Sequence, residues 1–190
     1  MTPLILEKRV AFAFEVSVLV ARAGDGAKVF YDIPRNQHRA GILRRSTATD
    51  GILSQDKAAA GREIAARIAD ALDYVGVLAV ELFVLDGDGG DALIVNEIAP
   101  RVHNSGHWTM DACAADQFEN HVRAVCGWPL GATTRYVDIE MVNLIGSDIH
   151  DWLTLAGEAG TFVHLYGKRE ARDGRKMGHV NRVLAARATN

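Results

Sequence analysis

Apolar positions along the chain fall mostly into short runs and two-residue alternations, with two stretches at helical spacing between them. Leu4-Ile5-Leu6 predicts a short strand. Glu15 to Arg22 alternates, breaks at Gly24-Asp25-Gly26 and resumes over Lys28 to Ile33, which predicts a hairpin. Pro34 to Arg45 is polar and basic, and is expected to loop across a site. Ser54 is placed to cap a helix running to about Tyr74, with Ile64, Ile68, Ala71 and Leu72 on one face. A second helix is expected from Asp116, where Asp116 and Glu119 have capping-box spacing. Its stripe is Phe118, Val122 and Val125, and Gly127 ends it before Pro129. Strands are expected again over Ile139–Leu144, Thr161–Tyr166 and Met177–Leu184.

Between the helices lie two apolar segments, Val77 to Leu85 and Leu93 to Ile98, joined by Asp86-Gly87-Asp88-Gly89-Gly90-Asp91. This predicts a hairpin centred near Gly89, in which Glu81 falls opposite Glu97 or Asn96. Both strands are apolar on both faces, so both are expected to be buried on both faces. Buried carboxylates side by side repel and need a cation between them. Oxygen donors of this kind suit Mg²⁺, which commonly uses one or two carboxylates plus substrate phosphates. Glu81 and Glu97 are therefore the expected metal ligands, in preference to an ordinary solvated strand face.

The segment after the second strand, Val95 to Trp108, carries a carboxylate, an arginine, two histidines, two amides and a hydroxyl in fourteen residues. His103 and His107 are four apart, but Pro100, Asn104, Ser105 and Gly106 argue against the helix a zinc pair would need. A polar loop aiming Arg101 and His103 at an anionic substrate fits better than zinc, since the guanidinium fork holds carboxylate or phosphate in bidentate fashion. A plain pairing of Arg101 with a neighbouring acid is the equal alternative from the residues. Lys168, Arg175 and Lys176 crowd a turn at Asp173-Gly174, a candidate phosphate-binding tip. Glu7 and Glu15 attract no notice from the residues alone.

The bulk properties narrow the class. A chain of 190 residues, 48% hydrophobic, buries a real core and holds one domain or slightly more. A net charge of −3 supplies no field to draw in nucleic acid or an anionic membrane, and neither partner is expected. Two cysteines, Cys113 and Cys126, make no disulfide framework; they are expected to be buried, reduced thiols of a cytoplasmic protein. The opening residues lack a signal-peptide layout, and no apolar run approaches the ~20 residues of a membrane span. Trp128 to Arg135 reads as a linker, dividing residues 1–127 from residues 128–190.

Several segments together resemble the carboxy-terminal half of an ATP-grasp ligase, the N5-carboxyaminoimidazole ribonucleotide synthetase family of purine biosynthesis. They are Leu-Glu at 6–7, Glu-Val-Ser-Val at 15–18, His-Arg-Ala-Gly-Ile-Leu-Arg at 38–44 and Tyr-Val-Gly-Val-Leu-Ala-Val-Glu-Leu-Phe-Val at 74–84. Further along come Asn-Glu-Ile-Ala-Pro-Arg-Val-His-Asn-Ser-Gly-His-Trp-Thr at 96–109, Gln-Phe-Glu-Asn-His at 117–121 and Gly-Arg-Lys-Met-Gly-His-Val-Asn at 174–181. The pair of acids on successive strands is common to ATP-grasp enzymes, while the segment from Asn96 to His107 is specific to this synthetase.

The resemblance implies an α+β fold: an ATP-grasp subdomain over 1–127 with antiparallel sheet, packed helices and the metal and nucleotide wall, then a small mostly-β domain over 128–190. It implies carboxylation of 5-aminoimidazole ribonucleotide by bicarbonate and ATP, through carboxyphosphate, with ATP and Mg²⁺ bound and a homodimeric full-length form. Carried over by position, Glu81 and Glu97 match the Mg²⁺ ligands with Asn96 beside them. Glu7 matches an acid near adenine and Glu15 an acid that accepts from the ribose. Arg101 and His103 match residues facing the ribonucleotide and the carboxylating intermediate, and Lys168, Arg175 and Lys176 match a basic group near its phosphate. Family members run to about twice this length, so the chain is expected to be a fragment, inactive alone. Two rival expectations are a non-catalytic nucleotide-binding module built on half of an ATP-grasp fold, and a formate-dependent glycinamide ribonucleotide transformylase, against which the Pro-Arg-Val-His-Asn-Ser-Gly-His loop argues.

Overall fold

A computed structural model of the chain describes residues 4–85 and 93–186. The expected turn at 86–91 lies outside the described residues. Among the described residues, nine strands form one antiparallel sheet: β1 (Phe14–Arg22), β2 (Lys28–Phe30), β3 (Arg35–Arg39), β4 (Ile42–Ala48), β5 (Gly76–Val84), β6 (Leu93–Ala99), β7 (Val137–Ile145), β8 (Thr161–Leu165) and β9 (Lys176–Ala186). The order across the sheet is β6-β5-β1-β3-β4-β7-β9-β8, with β2 paired to the far end of β1. The helices are α1 (Gln55–Ala71), α2 (Thr109–Ala112), α3 (Gln117–Val125) and α4 (Trp152–Ala156). The sheet runs on from β4 into β7, past residues 127 and 128, without interruption.

Alternation along β1 and β5 creates two layers. Val16, Val18, Val20, Leu78, Val80, Leu82 and Val84 point to one face, where Ala65 and Ala69 of α1 seal them with Ile64 and Ile68 against their edge. The opposite face begins as core, with Leu19 and Ala79 under Trp108 and Ala112. Further along the same face the residues turn polar: Glu15 and Ser17 on β1, and Glu81 on β5, directly opposite Ser17. Ser54 caps α1, its hydroxyl accepting from Lys57 N at 3.3 Å.

Several expectations are corrected. Leu4-Ile5-Leu6 is exposed coil outside the sheet, with no strand paired to it among the described residues. Pro34 to Arg45 is no loop: it contains β3 and the start of β4, joined at Ala40 and Gly41, both with positive φ. The stripe Phe118, Val122 and Val125 faces outward, and α3 buries Gln117, Asn120 and Ala124 instead. Strand β6 is not buried on both faces: it is the edge of the sheet, and Ile94, Val95 and Ile98 are exposed. Leu72 is exposed past the end of α1, and Cys126 is exposed at the end of α3.

Candidate functional site

The polar end of the second face is built on five neighbouring strands, β6, β5, β1, β3 and β4. Glu81 pairs with Glu97 in the register, and a β-bulge follows at once, since Leu82 pairs with Val95. Asn96 is the extra residue of that bulge, which bends the strand as it enters the site. The floor is a hydrogen-bonded row of buried side chains: Ser46 Oγ donates to Asn36 Oδ1 at 2.7 Å, and Asn36 Nδ2 donates to Ser17 Oγ at 2.6 Å. Beside it, His38 of β3 is paired through Nδ1 with the Glu15 carboxylate.

After β6 the chain crosses above this floor, bringing His103 Nε2 to 3.6 Å from Glu81 Oε1. One donor atom each from Glu81, Glu97 and His103 lies within 4.8 Å of the others, which among the described residues is the one such cluster of three or more acids, histidines or cysteines. Glu81 is 7% exposed and His103 8%, whereas Glu97 opens to solvent.

Electrostatics follow from this crowding. Burial raises the Glu81 pKa; Glu97 and Glu15 push the same way, while His38 and Lys176 oppose it. Burial lowers His103 to about 4, helped by the positive charges of Arg101, Lys176 and His38. Lys176 is also lowered by burial and by Arg101 and Lys168, with Glu81 pulling it back up. His103 Nδ1 lies 2.7 Å from Ser105 Oγ and accepts from Ser105 N at 3.4 Å, which leaves the proton of the neutral ring on Nε2, facing the Glu81 carboxylate. Two carboxylates at this spacing suit a hard divalent cation, and bound charge would relieve the desolvated Glu81.

The candidate residues separate accordingly. Glu15, Glu81, Glu97, Arg101, His103 and Lys176 share one electrostatic neighbourhood, and Asn96 sits at its bulged rim. Lys168 lies 5.4 Å over the Tyr166 ring and donates to Lys176 O, while Arg175 donates to Glu170 O at 3.2 Å along the exposed tip. Glu7 is in exposed coil, and no contact joins it to the cluster among the described residues. His107, rejected as half of a zinc pair, does not join the three-ligand cluster.

Reading the sequence missed the layer beneath. His107, His179 and His164 stack face to face, with centroids 4.8 and 4.5 Å apart. Asp111 Oδ2 accepts from Asn181 Nδ2 at 2.6 Å and lies 2.8 Å from His164 Nε2. Burial holds His107 at about 4 and His179 at about 2, so these rings are neutral packing groups at pH 7. The one available signal was His179 and Asn181 sitting two apart on β9, hence on one face.

Comparison with known proteins comes down on both parts of the chain. The ATP-grasp domain family matches residues 1–118, and the phosphoribosylaminoimidazole carboxylase C-terminal domain matches residues 140–189. The N5-carboxyaminoimidazole ribonucleotide synthase of Brucella melitensis is 52% identical over 181 residues, covering 95% of this chain and 49% of the relative. The Escherichia coli synthase is 44% identical over 179 residues, covering 93% and 48%. Among solved structures, the synthetase from Thermus thermophilus superposes with TM-score 0.83 at 44% identity, over 92% of this chain and 47% of that one. The synthase from Aspergillus clavatus, in complex with ADP and 5-aminoimidazole ribonucleotide, gives 0.86 at 29% identity, over 94% and 48%. The chain spans about half the length of the curated relatives it matches.

Proposed function

This chain belongs to the ATP-grasp family, and from that premise we propose that it carries the carboxylate and ribonucleotide side of a site joining bicarbonate to 5-aminoimidazole ribonucleotide at the expense of ATP. The products are N5-carboxyaminoimidazole ribonucleotide, ADP and phosphate, with carboxyphosphate as the activated carboxyl. The convergence of Glu81, Glu97 and His103 within 4.8 Å carries the reading. Glu81 and Glu97 would hold a Mg²⁺ ion, which would supply neutralisation of phosphate-oxygen charge in phosphoryl transfer.

The chain's own groups do the remaining work. Arg101 offers a guanidinium fork to bicarbonate or its phosphorylated form. His103, uncharged at neutral pH, has its basic nitrogen at Nδ1, where the Ser105 hydroxyl could pass on the proton released as the substrate amine bonds to carbon. Lys176, half-buried beside Glu81, faces the ribonucleotide phosphate, with Lys168 and Arg175 further out on the same tip. Asn96, the bulge residue beside Glu97, would contribute its amide to the nucleotide phosphates. The resemblance gives Glu7 the adenine role and Glu15 the ribose role, and Glu15 has His38 as its partner.

The test is a calorimetric titration of Mn²⁺ into the chain with and without ADP, repeated for Glu81→Gln and Glu97→Gln. Each substitution is expected to weaken Mn²⁺ at least tenfold, and ADP binding is expected to depend on the cation. Equal Mn²⁺ affinity in the double variant sinks the reading. ADP release requiring both bicarbonate and aminoimidazole ribonucleotide is the corresponding catalytic measurement.

A further inference from the structure

His103 lies between β6 and a single 3-10 turn at Asn104–Gly106, in a stretch without a strand partner. Its backbone is nevertheless extended, at φ −123° and ψ 148°. The partner it lacks is supplied by a side chain. Gln117, the first residue of α3 and 0% exposed, accepts from His103 N through Oε1 at 2.8 Å and donates to His103 O through Nε2 at 2.8 Å. The second Nε2 hydrogen reaches His107 Nδ1 at 2.9 Å. A flipped amide would set oxygen against the His103 carbonyl, so the backbone fixes which end is which. His107 must then accept at Nδ1 and carry its proton on Nε2.

We propose that Gln117 is the positioning residue for His103, an amide clamp that holds both peptide groups of that residue and thereby aims its ring at Glu81. This rests on the reading of His103 as a group of the reaction site. With the backbone held on both sides of Cα, the direction of the Cα–Cβ bond is fixed, and the Ser105 hydroxyl then sets the ring. The clamp is itself anchored: Thr109 Oγ1 accepts from Gln117 N at 3.1 Å and donates to Gly106 O at 2.7 Å. The absence of a side chain at Gly106 makes room for it, since a Cβ there would lie 2.7 Å from Gln117 Oε1. From the other side, Asn104 and Asn143 exchange amide bonds of 2.9 and 2.6 Å, tying the turn to β7. Between these two anchorages the Gln117 amide alone, among the described contacts, touches both backbone polar groups of His103.

The test uses the full chain with ¹⁵N-labelled histidine. Gln117→Leu is expected to shift the ring nitrogens of both His103 and His107, and to abolish the broadening of the His103 signal by added Mn²⁺. Gln117→Glu keeps the shape and one acceptor, and is expected to switch His107 to its Nδ1–H tautomer, a change readable in the ring ¹⁵N shifts whether or not the leucine variant folds. Asp116→Ala, which removes the α3 cap without touching the clamp, controls for lost stability and is expected to leave both rings unmoved. Unchanged His103 shifts in Gln117→Leu, an unswitched His107 in Gln117→Glu, or equal shifts in Asp116→Ala would overturn the proposal. Absence of Mn²⁺ broadening in the parent chain counts instead against the cation site, and leaves the metal-free ring shifts to decide the clamp.

Discussion

A Cβ built on Gly106 would stand 2.1 Å from Leu19 Cδ2, a methyl of the rigid second core. Neither that leucine nor the Gln117 amide can retreat without opening a void or breaking a buried hydrogen bond. Gly106→Ala is therefore expected to cost about 2 to 4 kcal/mol in a denaturant titration, a loss ruled out if the midpoint stays put. The buried imidazoles make a second prediction at this scale. His103 and His107 fall to about 4, and His179 to about 2, chiefly through burial. Unfolded histidine takes its proton near pH 6.5, so between about 6.5 and 4 the unfolded chain binds more protons than the folded one. Stability is then complete above about 6.5 and declines as pH falls toward 4. Gln117 facing His107, Asp111 facing His164 and Tyr166 facing His179 are polar neighbours of this stack. A thermal melt at pH 5 should give a lower Tm than one at pH 7.5, and an unchanged Tm would contradict the burial of His103, His107 and His179 in their neutral forms.

At the scale of elements, α3 reverses the usual reading of an amphipathic helix. Its apolar stripe lies in solvent while Gln117 and Asn120 point inward, because the amides have work there: Asn120 Nδ2 donates to Tyr31 Oη at 2.7 Å, and Asn120 Oδ1 accepts from Gly131 N at 2.7 Å. Val122→Lys is expected to change stability by less than about 0.5 kcal/mol, while Asn120→Leu costs about 2 kcal/mol or more by leaving buried partners unsatisfied. Chemical denaturation of the pair decides whether polarity or apolarity holds this helix down. Strand β3 defeats sequence reading for a related reason. Its burial does alternate, with Asn36 and His38 inward and Arg35, Gln37 and Arg39 outward, but both sets are polar, so no period-two hydrophobic signal exists. The turn that ends it uses Ala40 at φ 51°, a residue that carries none of the Asn or Asp chemistry by which such turns are recognised.

Across the whole molecule, one sheet joins the residues on either side of the Trp128–Arg135 segment, and Arg135 fastens that segment. Its buried guanidinium bonds Asp32 at 2.8 Å and Asp50 at 2.9 Å and meets Asp138 as well. Pairing of β4 with β7 makes the two stretches share backbone hydrogen bonds, so calorimetry of the chain is expected to give one transition with equal van't Hoff and calorimetric enthalpies. Two resolved transitions would contradict that coupling. The sequence by itself narrowed the partner of Glu81 to Glu97 or Asn96, because an apolar hairpin about a glycine-rich centre admits few registers, and the bulge at Asn96 decided for Glu97. It also determined the Ser54 cap and the start of α3, where the signal is local chemistry between neighbours in the chain. Only the tertiary structure decided that β6 is an edge, that α3 turns its amides inward, and that His38, His103 and Lys176 meet the acids. Those outcomes depend on which surfaces face each other across long stretches of chain, and hydrophobic periodicity records that a face is buried or polar without recording its partner.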